Sequence, residues 1–174
     1  MNIKSERIKL RAIEDYDEEL LYALINDPEI EKNTTGNSFP VSISKQREWI
    51  KQQQLNSSAT TLRTIIEDNN SKEAIGTLIL SDIDYKNGTA ELHIKILNKF
   101  QRKGYATESV DLISKYASKE LRLHSIYVNI LKSNINSQNL FKKCGFELDG
   151  YLRDRVFKDG QFQDLASFSR ILGE

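Results

Sequence analysis

The stretch I-K-I-L-N-K-F-Q-R-K-G-Y-A-T, residues 94–107, decides the fold because it joins a strand, a basic turn and a helix in that order. Its apolar start closes a strand predicted over about 90–97, and apolar spacing predicts a helix over 104–117. The first N–H groups of a helix lack intrahelical partners, and the helix dipole adds about half a positive charge there. Such a terminus is a natural phosphate site.

Small and basic residues around this helix start favour an anion. Gly104 and Ala106 let an anion approach the backbone, while Arg102 and Lys103 attract it. The turn is neither a P-loop, G-x-x-x-x-G-K-[ST], nor a dinucleotide turn, G-x-G-x-x-G. The glycine alone does not distinguish a phosphate site from a plain strand–turn–helix connection with a solvated basic rim.

Regular patterns on both sides of the turn predict one domain, 1–174, of mixed helices and strands. Further strands are predicted over 8–12, 62–66, 74–83, 125–131, 146–156 and 162–171. Helices are predicted from Glu14 to just before Pro28, from a cap at Ser44, and over 137–143. Asn87-Gly88 predicts a hairpin and hence an antiparallel meander in mid-chain. The expected fold class is α/β (α+β), with a mixed, mostly antiparallel central sheet flanked by helices.

Composition argues against several classes of protein. The 174 residues carry 25 basic and 25 acidic side chains, so no broad basic field is available for nucleic acid or anionic lipid. One cysteine, Cys144, and two histidines argue against a disulfide framework and a metal centre. The start of the chain has no apolar signal segment, and no apolar run approaches the about 20 residues that span a bilayer. We therefore expect a cytoplasmic protein without nucleic-acid or membrane partners.

Three motifs in order resemble one enzyme family. Q-R-K-G-Y-A, residues 101–106, resembles the Q/R-x-x-G-x-G/A turn of the GNAT superfamily of N-acetyltransferases. N-I-N-S-Q-N-L-F-K-K-C-G-F, residues 134–146, resembles the family's N-x-x-S…K-x-G-F segment. K-L-R-A-I-E-D-Y-D, residues 9–17, resembles the start of the branch that contains ribosomal-protein and spermidine acetyltransferases. The resemblance covers nearly the whole chain and implies the GNAT fold.

The resemblance also implies a reaction, the transfer of an acetyl group from acetyl-CoA to a primary amine without a metal. In the family, the turn grips the pyrophosphate of CoA, and the preceding strand pairs with the pantetheine arm like an added strand. Asn134 matches an asparagine that hydrogen-bonds this arm, and Ser137 and Phe141 match positions beside the thioester sulfur. The residues expected to bind the cofactor are Ile94, Ile96, Leu97, Gln101, Arg102, Lys103, Gly104, Tyr105, Ala106, Thr107, Asn134, Ser137 and Phe141.

Attack on a thioester requires a deprotonated amine, because an alkylammonium with a pKa of about 10 has no lone pair. Glu91 is the expected base, since relatives often carry a carboxylate at this position of the pantetheine-pairing strand. His93 lies two residues on, on the same sheet face, and is the second candidate. The alternatives are an exposed strand glutamate and a structural histidine. A strand-end N–H near Leu97 is expected to donate to the oxyanion, and Asp164 is expected to line the acceptor side.

The chain departs from the family pattern at the proton donor. Many members have a tyrosine where Phe141 stands, and phenylalanine cannot protonate the sulfur. Ser137, whose counterpart is a proposed acid in the ribosomal branch, is one replacement. The other is departure as a thiolate, since a thiol of pKa about 8.5 is already a fair leaving group.

The sequence leaves the acceptor open among protein N-termini, polyamines and amino sugars. Glu14, Glu29 and Glu31 would suit a cationic acceptor, although ordinary helix-surface charge is the commoner explanation. The loop 33–40 is expected to cover the acceptor groove. A competing hypothesis, supported by Phe141, is a CoA-binding sensor or scaffold without turnover. Family relatives and the apolar last strand favour a homodimer.

Overall fold

Eight strands form one sheet in the computed structural model, which describes residues 3–36, 39–56 and 58–173. The strands are β1 (Ile3–Lys4), β2 (Ile8–Arg11), β3 (Leu62–Asp68), β4 (Ala74–Asp84), β5 (Thr89–Ile96), β6 (Ser125–Leu131), β7 (Glu147–Lys158) and β8 (Gln161–Ile171). The helices are α1 (Glu18–Asn26), α2 (Pro28–Lys32), α3 (Ile43–Leu55), α4 (Tyr105–Lys119) and α5 (Ile135–Lys143). The spatial order is β1-β2-β3-β4-β5-β6-β8-β7. Among the described strands, β5 and β6 alone pair in parallel, which confirms a mixed, mostly antiparallel sheet.

Helices cover both faces of this sheet. On one face, Ile113 of α4 is buried in the same apolar cluster as Leu78 of β4. On the other, Leu24 of α1 and Ile50 of α3 pack with Ile65 of β3. Successive strand residues point to opposite faces, so residues 77, 79 and 81 of β4 and the odd-numbered residues of β5 belong to the face under α1 and α3. We call it the α1–α3 face.

The middle of the chain folds as its sequence predicts. The meander β3–β4–β5 is observed, and Gly88 occupies its second turn with a positive φ of 68°. The strand predicted over 90–97 spans Thr89–Ile96, and the helix predicted over 104–117 spans Tyr105–Lys119. α4 supplies the long crossover that the parallel pair β5–β6 requires. Across the described residues, no helix is both long and apolar enough to cross a bilayer.

The first half of the chain contains local differences from prediction. Ser42 caps α3, not Ser44, because the Ser42 hydroxyl accepts an N–H from the first turn at 3.2 Å. Pro28 ends α1 as expected but also begins α2, since Asp27 accepts the N–H of Ile30 at 3.1 Å and proline fits a first helical turn. The strand β1 was not predicted, and a 3-10 turn precedes α1.

Candidate active site

β5 and β6 separate after a short parallel ladder. Their last paired positions are Glu91 and Tyr127, whereas the strands continue to Ile96 and Leu131. We call the space beyond the last pair the β5–β6 gap. The unpaired edge of a strand keeps N–H and C=O groups free to pair with an extended, amide-bearing ligand. The gap therefore fits the pantetheine arm of CoA, which the sequence resemblance assigns to this strand.

The backbone direction along β5 shows which residue faces the gap. Leu97 donates its N–H to the carbonyl of Ile75 at 3.0 Å. Because N–H groups alternate between sides along an antiparallel ladder, those of Ile94 and Ile96 point away from β4 and toward the gap. The Ile96 carbonyl is already taken by Gln101 Nε2 at 2.9 Å. The N–H of Leu97 is thus not free for an oxyanion, and Ile94 is the better-placed residue.

The turn after β5 presents free N–H groups at the start of α4. Gly104 precedes the helix with φ of 86°, a conformation that glycine adopts without strain. The first intrahelical hydrogen bond runs from the N–H of Glu108 to the carbonyl of Gly104 at 3.1 Å. The N–H groups of Tyr105, Ala106 and Thr107 therefore have no intrahelical partner. Together with the exposed Arg102 and Lys103, they fit a diphosphate.

Contacts from distant parts of the chain stabilise the turn between β5 and α4. Tyr105 donates its hydroxyl to Asp68 Oδ2 at 2.5 Å, which lowers the pKa of Asp68 to about 2 and raises that of Tyr105. Arg7 lies over the Tyr105 ring, 4.5 Å from its centroid, and donates to the Lys103 carbonyl at 3.0 Å. Sequence reasoning missed Arg7, because nothing local links it to a turn nearly a hundred residues away.

The two predicted base candidates lie together on the α1–α3 face. Glu91 Oε2 is 3.8 Å from His93 Nε2, which confirms that both side chains share one face of β5. The same His93 nitrogen is 2.9 Å from Ser81 Oγ of β4. The Glu91 side chain is 17% exposed and that of His93 45%. Glu91 is therefore largely shielded, whereas His93 remains open to solvent.

Asn129 of β6 completes this cluster and was not predicted. Its Nδ2 donates to Glu91 Oε1 at 3.0 Å, so a side-chain hydrogen bond joins the strands where their backbone ladder ends. Its Oδ1 is buried and has no partner within the described residues. No sequence signal marks Asn129, since its role depends on the register of β6 against β5.

The predicted residues at the start of α5 also lie near one another. Asn134 caps the helix, because its Oδ1 accepts the N–H of Ser137 at 3.0 Å. Its Nδ2 donates to the carbonyl of Asn33 at 3.0 Å, linking α5 to the segment after α2. Phe141 is only 3% exposed and packs edge-to-face against Phe146. Phe141 is thus part of the hydrophobic core, whereas Ser137 is half-buried near the start of the helix.

The side chains of Asp164 and Cys144 are engaged in other roles. Asp164 accepts the N–H of Asp154 and the ammonium of Lys132, both at 3.1 Å, which together lower its pKa. Cys144 is buried, and burial raises the pKa of its thiol. Neither is placed as a nucleophile or base. Among the described residues, no three His, Cys, Asp or Glu side chains converge as metal ligands would.

A cavity of about 320 Å³ opens on the α1–α3 face beside β5. Its walls combine the apolar side chains of Leu24, Trp49 and Ile79 with the basic ones of Arg63 and Lys95. Burial lowers the pKa of Lys95. His93 also lines the cavity, so the cavity reaches the candidate base cluster and can hold an acceptor.

The acidic residues expected to suit a cationic acceptor do not line this cavity. Glu31 pairs with Lys158 of β7 at 2.6 Å, and Glu14 and Glu29 lie on the exposed surface. Val41 follows the loop predicted to cover the groove and does line the cavity. Residues 37 and 38 of that loop lie outside the described residues.

Comparisons with known proteins agree with this geometry. A family model described as "Acetyltransferase (GNAT) domain" matches residues 7–147. The SPbeta prophage-derived uncharacterized N-acetyltransferase YokL of Bacillus subtilis (strain 168) is 30% identical over 163 residues, 94% of this chain and 89% of that protein.

Two solved structures extend the likeness to the whole fold. Spermidine N-acetyltransferase from Vibrio cholerae, in complex with CoA and spermine, has a TM-score of 0.87 and 26% identity, covering 97% of each chain. The Microcin C7 self immunity acetyltransferase MccE, in complex with acetyl-CoA and AMP, has a TM-score of 0.83 and 25% identity, covering 97% of this chain and 94% of that one.

Proposed function

Because the chain belongs to the GNAT acetyltransferase family, we propose that it transfers the acetyl group of acetyl-CoA directly to a primary amine held in the cavity beside β5. The observation that carries this proposal is the β5–β6 gap, which leaves the Ile94 backbone open next to the free N–H groups that begin α4. When bound there, acetyl-CoA supplies an acetyl group activated as a thioester.

The chain's own residues would hold the carrier from its phosphates to its thioester. The N–H groups of residues 105–107 and the side chains of Arg102 and Lys103 suit the diphosphate. The Ile94 backbone would pair with an amide of the arm, or donate to the thioester oxygen as negative charge develops on it. Asn134 lies where the gap meets α5 and would need to exchange its bond to Asn33 for one to the ligand.

Glu91 is proposed as the base that receives the amine proton, directly or through one water. Asn129 fixes one carboxylate oxygen at 3.0 Å, which leaves the other oriented toward His93. His93 lies 2.9 Å from Ser81 Oγ and 3.8 Å from Glu91 Oε2, so it would orient the carboxylate or pass its proton to solvent. The buried Oδ1 of Asn129, which has no partner in the described part of the chain, offers an acceptor for that water or for the amine itself.

The leaving sulfur has two routes under this proposal. Ser137 is half-buried in the first turn of α5 and can donate its hydroxyl proton. Phe141 has no proton to give, so without Ser137 the sulfur departs as a thiolate and is protonated by water. The second route is feasible because a thiolate is a moderate leaving group.

The experiment that tests this function measures free thiol released from acetyl-CoA in the presence of a peptide with a free N-terminus, spermidine, glucosamine and small amino acids. We expect release that depends on the amine. A protein that binds CoA yet releases no thiol with any amine would contradict the proposal. Binding without thiol release would instead support the alternative of a CoA-binding sensor or scaffold. Membership of an acetyltransferase family argues against that alternative.

Oligomeric state and cellular location are further proposals. A homodimer is supported by exposed apolar side chains on the β7–β8 hairpin, among them Tyr151, Phe157 and Phe162. Light scattering after gel filtration would give the mass; a mass near the 20.0 kDa of one chain would contradict the dimer. We also propose a cytoplasmic location, where acetyl-CoA is made, and a tagged chain found outside that compartment would contradict it.

A further inference from the structure

We propose that the acceptor carries an anionic group, a carboxylate or phosphate, beside an apolar body, and that Arg63 and Lys95 bind this group. The inference rests on the proposed function, since it names the class of amine that the same cavity would admit. It sets this chain apart from acetyltransferases whose acceptors are polycations.

The charge of the cavity wall is the first argument. Four basic side chains line the cavity, and the described lining residues include no Asp or Glu. Those basic residues are Lys45, Arg63, His93 and Lys95. A polyamine would bring several positive charges into a positive, partly apolar space, where like charges repel more strongly than in water. An anion would be attracted to the same space.

The register of the sheet brings the basic residues close together on one face. Arg63 of β3 lies opposite Ile79 of β4, which in turn lies opposite His93 of β5. Strands are about 4.8 Å apart, so the Arg63 and His93 backbones are separated by roughly 10 Å. Lys95 lies two residues after His93, on the same face. Because the long side chains of Arg63 and Lys95 can span part of this separation, an acceptor would place its anion near them and its amine near the Glu91–His93 cluster.

The lack of partners for the two cations is the second argument. Elsewhere buried or half-buried arginines are paired, as Arg11 is with Asp17 at 2.7 Å and Arg170 is with Asp111 at 2.9 Å. Within the described residues, neither the Arg63 nor the Lys95 side chain makes an ion pair or a hydrogen bond, although both residues are only partly exposed. A partly buried cation without a partner is unfavourable in the free protein, and a bound anion would relieve that cost.

The apolar side chains that line the cavity indicate the chemistry of the acceptor's remaining part, its body. Leu24, Trp49 and Ile79 surround the basic groups, and these side chains favour a hydrocarbon or aromatic body over a sugar. Trp49 is the single tryptophan of the chain and lines this cavity, so a change in its fluorescence reports a change in the surroundings of the cavity.

The test compares matched amines that differ in one anionic group: leucine with 3-methylbutylamine, and O-phosphoethanolamine with ethanolamine, with spermidine as the polycation. Thiol release gives kcat/KM, and Trp49 fluorescence gives affinity without turnover. We expect the member of at least one pair that carries the anion to have a kcat/KM about tenfold higher than the member that lacks it, since a charge-assisted hydrogen bond is worth that much or more. Which pair responds identifies the carboxylate or the phosphate.

Variants assign the effect to the proposed residues. Arg63→Gln and Lys95→Gln should each remove most of the preference, whereas Arg122→Gln, at an exposed position after α4, should keep it. Thermal unfolding of each variant shows that the fold is retained. A preference for spermidine or for the amines that lack an anionic group would overturn the inference, as would a preference for the anionic amines that survives both variants. If no amine releases thiol, the proposed function fails, and the Trp49 titrations alone then decide whether the cavity selects anions.

Discussion

Asn129 Nδ2 donates to Glu91 Oε1 at 3.0 Å across the end of the β5–β6 gap. The backbone ladder between these strands stops at Glu91, so this side-chain bond is the next link between them. It also restricts the Glu91 carboxylate to one orientation, with Oε2 facing His93 at 3.8 Å. The residue proposed to receive the amine proton is thus positioned by the strand on the other side of the gap.

Glu91→Gln should lower kcat by about a hundredfold or more, because an amide cannot take the amine proton and general-base catalysis commonly contributes that factor. The affinity for CoA, measured by calorimetry, should stay unchanged, since Glu91 does not belong to the phosphate-binding turn. Glu147→Gln, on an exposed position of β7, is the matched control. Full activity in the Glu91 variant would transfer the role of base to another group.

Asn129→Leu should reduce kcat less than Glu91→Gln does, by about tenfold, because it leaves the carboxylate present but free to rotate. The affinity for CoA should stay unchanged, since Asn129 does not belong to the phosphate-binding turn. A purely structural asparagine would change thermal stability and leave kcat in place. Measurement of kcat together with the melting temperature distinguishes the two roles.

Tyr105→Phe should lower the free energy of unfolding at pH 7 by about 1.5–3 kcal/mol, the usual worth of a hydrogen bond to a charged group. The folded pKa of Asp68 is about 2, below its ordinary 3.8, so its stabilisation is present above about pH 4 and lost as the pH falls toward 2. The difference between wild type and variant should therefore shrink over that range. Tyr85→Phe, at an exposed tyrosine, should change little. Urea unfolding at several pH values measures both.

Lys95→Met should raise the melting temperature at pH 7. Burial lowers the folded pKa of Lys95 below its ordinary 10.5, so the unfolded chain binds this proton more tightly than the fold does. Lys95 therefore costs stability at neutral pH, and that cost disappears as the pH rises toward 10.5. Lys115→Met, on an exposed face of α4, controls for the loss of a charge. An unchanged or lower melting temperature would show that Lys95 is stabilised in the free protein.

Local patterns in the sequence were sufficient for most elements of the fold. The strand–turn–helix at residues 94–107 carries its own periodicity and glycine, and its motif identified the family. α2 is not predicted from the sequence because Asn26-Asp27-Pro28 indicates the end of a helix, although proline also begins helices.

The candidate site was predictable only where its residues share one strand or one turn. Glu91 and His93 could be paired because two residues of a strand share a face. Asn129, Arg7 and the basic group of Arg63 and Lys95 depend on which strands become neighbours and in what register, and those are set by tertiary packing. For the same reason, the expectation that the Leu97 N–H donates to the oxyanion was wrong. This N–H donates to the carbonyl of Ile75 on the adjacent strand.

Calorimetric titration of CoA into the wild type and into Gly104→Val tests the central claim most directly. At φ of 86° a β-branched residue is strained, and its Cβ would also lie 3.4 Å from Arg7 Nη1, which contacts the same turn. We predict clear heat of binding for the wild type and at least a tenfold weaker affinity for the variant, with Gly160→Val in the β7–β8 turn, also at positive φ, as the control for strain. No heat with the wild type, or equal affinity in Gly104→Val, would contradict the assignment of this turn as the CoA site.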